Sequence, residues 1–189
     1  MARSSTFEDS QIFAAVGVLL ARDGAVTLQA IVAETGVSIG SLYHRYGSRE
    51  TLLARTWLDA VGAFQAEFLA ALDSGGDDAG ERAALVTPQF CRNQKARAVV
   101  LACCRQSEFA SAELSEELQR SIASANDAAA AALREFADDR GYTLEACRLG
   151  LVAFPLAAVR LYLPDNPVPE SIDAYVAEAF RSITCVQAA

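Results

Sequence analysis

"TGVSIGSLYHRYGSRETL", Thr35 to Leu52, decides how this chain is read. It holds two helix starts, two glycine stops and a group of polar side chains within eighteen residues. Thr27 upstream caps one short helix whose inward residues are Leu28, Ile31 and Val32, and Gly36 ends it. Ser38 caps the next, about Ile39 to Tyr46, and Gly47 ends that one. Ser48 opens a third, with Glu50 in its first turn, where the helix dipole favours an acid. Two short helices joined by a tight glycine turn and backed by a preceding helix follow the helix-turn-helix plan. In that plan the second helix enters the DNA major groove and its N-terminal side chains meet base edges. Leu42 would anchor it inward. Gly40 would allow close backbone approach. Ser41, Tyr43, His44 and Arg45 would project, and Ser38 would offer a helix N-terminus to phosphate. Arg49 would reach the phosphate backbone. On spacing alone, a packing element with solvated polar residues fits as well.

Working outward, almost everything has helical period. Ile12, Phe13, Val16, Leu19 and Leu20 share a face, and Gly24 stops that helix. A long helix, 48–72, carries Leu53, Trp57, Val61, Phe64, Phe68 and Leu72 to the break at Asp73–Gly80. Further helices are expected at 81–90, 95–106, 112–139, 144–162 and 171–186, with Pro88 at an uncertain junction and a proline-rich loop at 163–171. No strand alternation or internal repeat is visible. The expectation is an all-α protein of about nine helices: an N-terminal three-helix helix-turn-helix domain, 1–50, and a C-terminal helical regulatory and dimerisation domain, 51–189, joined by the long helix.

The chain has 189 residues and a formal net charge of −8. Residues 1–60 carry five arginines against six acids, so the acidic excess lies almost wholly beyond them. Bulk charge gives DNA binding no support. Local charge does, because Ser38 to Arg55 holds three arginines against Glu50 alone. The longest apolar run, Leu149 to Val159, is too short to span a bilayer, and no signal peptide pattern opens the chain. The protein is read as cytoplasmic, with no membrane partner. Arginine outnumbers lysine 15 to 1, the usage of a GC-rich bacterial genome.

Cys91, Cys103, Cys104, Cys147 and Cys185 form no CxxC pair, and His44 is the single histidine, so no metal site is expected. The thiols read as small buried residues in a reducing compartment. The alternative is a redox sensor at Cys103-Cys104, beside Arg105. With the histidine far in sequence from every cysteine, no nucleophile–base pair suggests itself. No catalytic residue and no cofactor is expected.

Ile12 to Leu53 resembles the N-terminal domain of the TetR (tetracycline-repressor) family of transcriptional regulators. The resemblance rests on Ile12, Ala14-Ala15, Gly24, Thr27, Ile31, Ala33, Gly36-Val37-Ser38, Gly40, Leu42-Tyr43, Tyr46, Ser48-Arg49-Glu50 and Leu52. It implies DNA contacts from Thr27, Ser38, Gly40, Ser41, Tyr43, His44, Ser48 and Arg49, with Arg45 added by extrapolation. It also implies a homodimer through the last two helices, about 144–162 and 171–186. Such a dimer would bind a near-palindromic operator in double-stranded DNA, acting as a repressor released by a small-molecule effector. Candidate pocket residues are Phe64, Phe68, Phe90, Cys91, Cys104, Arg105, Phe109, Asn126 and Phe154. Two departures stand out. Arg45-Tyr46 replaces the usual His-Phe, and Glu8-Asp9 precede the first helix where the family is commonly basic, leaving Arg3 as the only cation there. The rival reading is a helical ligand-binding or scaffold protein that does not bind DNA.

Overall fold

The computed structural model describes residues 7–104, 109 and 114–185. All regular structure among them is helical. The order is α1 (Asp9–Asp23), α2 (Leu28–Thr35), α3 (Ile39–Tyr46), α4 (Arg49–Asp73), α5 (Ala79–Asn93), α6 (Lys95–Cys103), α7 (Glu116–Ser124), α8 (Asp127–Arg140), α9 (Leu144–Cys147), α10 (Phe154–Arg160) and α11 (Ser171–Cys185). A π-helical segment, Arg148–Ala153, joins α9 to α10 without leaving helical backbone angles.

The nine helices expected from the sequence are present, with two differences. Where one helix was expected over 112–139, α7 and α8 are separated at Ala125 and Asn126. The alanine run beyond them propagates a helix but does not extend it backwards. The side-chain amide of Gln65 closes that corner, donating to the Ala125 carbonyl at 2.7 Å and to Asn126 Oδ1 at 3.1 Å. The second difference is the π segment. A proline cannot donate, and its ring crowds the carbonyl four residues back. Ahead of Pro155 the chain has wider turns, and the Phe154 N–H bonds the Leu149 carbonyl five residues back. Pro88, expected at a helix junction, instead lies inside the regular α5.

The chain forms two compact units, Met1–Ala60 with Lys95–Ala123, and Val61–Gln94 with Ser124–Ala189. In the first, α1 buries Ile12, Val16, Leu19 and Leu20, and α2 and α3 add Ile31 and Leu42. The start of α4 adds Leu52, Leu53 and Trp57, and Trp57 packs on Phe109 with ring centres 5.7 Å apart. The turns into this core need left-handed backbone: Gly24 (φ 68°) and Gly36 (φ 72°) end α1 and α2 and return their N–H groups to Leu20 and Val32. α6 lies closely along α1. A Cβ on Gly17 would overlap the Ala96 carbonyl oxygen, so only glycine permits this approach. Arg97 then ties α6 to Asp59 of α4, Nε to Oδ2 at 2.8 Å.

In the second unit α5 is the central helix, packed by α10, α11 and the π segment. Gly80 and Gly150 both make room for the Phe180 ring of α11. Arg92 grips Asp173 with two hydrogen bonds, 2.9 and 2.6 Å.

Two glycines in helices should respond oppositely to alanine. Gly17→Ala should destabilise by about 1–3 kcal/mol through overpacking. Gly62→Ala, mid-α4 with open space around its would-be Cβ, should stabilise by up to about 1 kcal/mol. Urea unfolding of both checks the α1–α6 packing; equal effects would contradict it.

Candidate nucleic-acid interface

α2 and α3 are eight residues each and joined by the three-residue turn Gly36-Val37-Ser38. Both carry side-chain caps. Thr27 Oγ1 accepts the Ala30 N–H at 3.1 Å, and Ser38 Oγ accepts the Ser41 N–H at 3.1 Å. The Ser38 and Ser41 hydroxyls also share a hydrogen bond of 2.8 Å. Ser48 caps α4 likewise, through the Thr51 N–H at 3.0 Å.

Helical spacing sorts α3 into two faces. Leu42 and Tyr46 are one turn apart and buried. Gly40, Tyr43 and His44 lie on the other side and are exposed, Tyr43 by 53%. Ser41 is half-buried, while Ser38 and Thr27 are exposed at their helix N-termini. These residues form one polar surface with two helix N-termini in it, suited to phosphate and base edges. Ile39, in the first turn of α3, is 39% exposed and belongs to the same surface. The sequence reading used it only as the helix start. Its signal was an apolar residue directly after a cap, which suits a thymine methyl.

The arginines are placed differently. Arg49 directs Nε to the Val26 carbonyl at 2.6 Å and lies 3.7 Å from Glu50, so it braces α4 on the turn before α2. Arg45 points at the start of α1. Its Nη1 donates to the Phe7 carbonyl at 2.8 Å and to Asp9 Oδ1 at 3.0 Å, and its guanidinium lies 4.1 Å over the Phe7 ring. Tyr46 Oη donates to the same Asp9 oxygen at 2.6 Å. The two departures from the family pattern, Asp9 and Arg45-Tyr46, are thus partners in one cluster. The Tyr46 hydrogen bond, then Arg45, holds the Asp9 carboxyl below its ordinary range. Burial, then the bond to Asp9, pushes the Tyr46 phenol up.

The candidate pocket residues do not all meet. Phe64, Phe68 and Phe90 cluster in the second unit: Phe64 stacks on Phe68 at 5.9 Å and meets Phe90 edge-on at 5.4 Å. Cys91, adjacent in α5, is buried there. Phe109 and Cys104 belong to the first unit instead, with Phe109 against Trp57. Asn126 is exposed at the α7–α8 corner. Phe154, 39% exposed, stands with Leu149, Val152 and Leu156 on the open side of the π segment and α10. Arg105 and Arg3 lie outside the described residues, and with Arg105 goes the cation invoked for Cys103-Cys104. Burial raises the Cys91 and Cys147 thiols to about 11, so both stay protonated at neutral pH.

A short helix capped at an exposed end and presented by two supporting helices is a helix-turn-helix arrangement. Residues 14–56 match the family model described as bacterial regulatory proteins, tetR family. The likeness to that family model covers α1 through the first turns of α4. Solved structures extend the likeness in fold along the chain. A TetR family transcriptional regulator, PfmR, from Thermus thermophilus is 20% identical with a TM-score of 0.72, over 92% of this chain and 97% of its own. A TetR family transcription regulator from Marinobacter aquaeolei VT8 is 17% identical with a TM-score of 0.66, over 94% and 93%. The multidrug binding protein EbrR, complexed with imidazole, is 15% identical with a TM-score of 0.56, over 95% and 96%. No curated protein matches the sequence. Among the described residues no single helix is long and apolar enough to cross a membrane.

The Asp9–Tyr46 bond should give stability a defined pH window. The lowered Asp9 value makes its contribution present above about pH 4 and lost on acidification. The raised Tyr46 value makes its contribution present below about pH 10 and lost above it. Wild type should therefore exceed Tyr46→Phe by about 1 kcal/mol between those limits, with the margin shrinking on both sides. Denaturation across pH checks this; a flat margin would refute it.

Proposed function

We propose that the protein is a transcriptional regulator that binds a near-palindromic DNA operator as a homodimer and leaves it when a small molecule binds. The observation that carries the reading is the exposed face of α3. Gly40, Tyr43 and His44 face outward beside the capped N-termini at Thr27 and Ser38, inside a domain that matches the tetR family model. In this reading Ile39, Gly40, Ser41, Tyr43 and His44 meet bases. Thr27, Ser38, Ser48 and the Nη groups of Arg49 meet phosphates.

The dimer is supported by the apolar surface of the second unit. Leu149, Val152, Phe154, Leu156, Leu161 and Tyr175 are all exposed, Leu161 by 78%. They lie on the π segment, α10 and α11, or directly after α10. Water-facing residues of this size, concentrated on neighbouring helices, suit a two-fold helical bundle. Repression needs no contact beyond occupancy of the operator.

Selection of bound duplexes from a random library tests both points. Wild type should enrich a palindrome. Tyr43→Ala/His44→Ala should lose the enriched motif. Val152→Glu should sediment as a monomer and lose the palindrome's symmetry requirement. No enrichment by wild type at low salt would leave the scaffold reading standing.

The effector reading is supported by the Phe64–Phe68–Phe90 cluster, where half-buried Phe64 offers a ring face to a flat apolar ligand. EbrR, of the same fold, is a multidrug binding protein. Screening aromatic compounds for release of the selected duplex should yield releasing compounds. Phe64→Ala should weaken release at least tenfold while leaving duplex affinity intact. Unchanged release in Phe64→Ala would place the effector elsewhere.

A further inference from the structure

We propose that Asp9 is an internal stand-in for a DNA phosphate: it holds Arg45 against α1 and so withdraws one cation from the reading helix. The proposal rests on the DNA-binding reading above and concerns how strongly, and with how little regard to sequence, that surface binds.

The chemistry is that of an anion clamp. A carboxylate oxygen accepts from a guanidinium as a phosphate oxygen does. Asp9 Oδ1 takes Arg45 Nη1 at 3.0 Å, and the Phe7 carbonyl takes it at 2.8 Å. The Phe7 ring lies under the guanidinium, with 4.1 Å from the central carbon to the ring centre. Three contacts thus turn Arg45 along α1 and away from the exposed face of α3. The acid is itself held independently of the arginine, because Tyr46 donates to the same oxygen at 2.6 Å. A carboxylate fixed from a second side is a placed group, unlike a chance surface pair.

The clamp stands at the edge of the solvent. The Arg45 side chain is 35% exposed and that of Asp9 47%. Once the carboxylate is removed, the guanidinium is therefore accessible to a phosphate brought alongside, which accepts from it as the carboxylate did. In helix-turn-helix complexes the first helix of the pair, here α2, crosses the DNA backbone while the second, here α3, lies in the groove between the two phosphate backbones. An arginine on α3 that is released from α1 is therefore close to phosphate. Asp9 instead holds Arg45 against α1 and keeps it from contributing to sequence-independent attraction.

The test is the salt dependence of binding to a random duplex for wild type, Asp9→Asn, Arg45→Ala and the double variant, with folding of each checked by thermal melting. One added phosphate contact steepens the slope of log K against log salt by about 0.9. Asp9→Asn should show that steepening, with affinity about 8-fold higher at 0.1 M salt and the gain fading toward 1 M. The double variant should lose the gain. Arg45→Ala alone should leave the wild-type slope unchanged. An unchanged slope in Asp9→Asn would overturn the proposal, as would a slope reduced by about 0.9 in Arg45→Ala, which would mean that Arg45 already sits on phosphate. Failure of wild type itself to bind random duplex at low salt would instead remove the DNA-binding reading, a distinguishable result.

Discussion

An eight-residue helix does not stand alone in water, because nucleation costs more than two turns return. α2 and α3 are both that short, so each exists only where α1 and the start of α4 cover its inner face. Ile31 and Leu42 are almost wholly buried, and Val37 in the turn between the helices is buried as well. This dependence is what makes the outer face available. Stability comes from Ile31, Leu42, Leu52 and the α1 stripe. Nothing on the far side of α3 is needed for folding, so Gly40, Tyr43 and His44 can be chosen for what they touch. The same constraint explains the side-chain caps at Thr27 and Ser38. In helices this short the unpaired terminal N–H groups are a large fraction of the whole, and one satisfied N–H counts.

The charges follow from a second constraint. The protein is acidic overall, so its long-range field opposes DNA, and attraction has to be local. One would then expect every arginine near α3 to be left free. Instead Arg22 pairs with Asp23 and Glu34, Arg45 with Asp9, and Arg49 braces the Val26 carbonyl. Each exposed pair adds little to stability, so thermodynamic need does not explain the pattern. What the pairs do achieve is orientation. Arg45 and Tyr46 fix the last turn of α3 to the first turn of α1, and Arg49 fixes the start of α4 to the entry of α2. α3 is held at both its end and its support.

Much of this was legible in the sequence, and the exceptions have physical causes. Glycine stops and Ser or Thr caps are local signals, so α1 to α4 were found nearly to the residue. The outward side of α3 was equally legible, since Leu42 fixes the inward direction and Gly40, Ser41, Tyr43 and His44 project from the helix; that Tyr46 also packs inward is the structure's addition. The sequence groups Arg45 with those projecting residues, yet the side chain turns to the start of α1. Its partner lies 36 residues earlier in sequence, and no local pattern announces such a pairing. The pocket candidates are spread over both units for the same reason. Phe109 and Phe154 have the composition of pocket residues, but burial against Trp57 in one case and exposure on the π segment in the other are decided by tertiary contacts. The break between α7 and α8 was hidden by the alanine run, whose propensity is high on both sides of a corner closed by a glutamine from another helix.

The π segment joins the local to the global. Pro155 lies in the first turn of α10 within a strongly apolar stretch, directly after the widened turns, whereas Pro88 is carried inside the regular α5. Widening by one residue per turn rotates everything beyond it by about a residue's worth of helix angle. Leu149 and Val152 lie within the widened turns, and Leu156 just beyond them. All three face outward, while Gly150, Leu151 and Val159 pack inward against the α5 and α11 side. The widened turns ahead of Pro155 thus set the register at which apolar side chains are split between the core of one unit and its open surface. That split, more than any single contact, gives the second unit a face that another helical surface can cover.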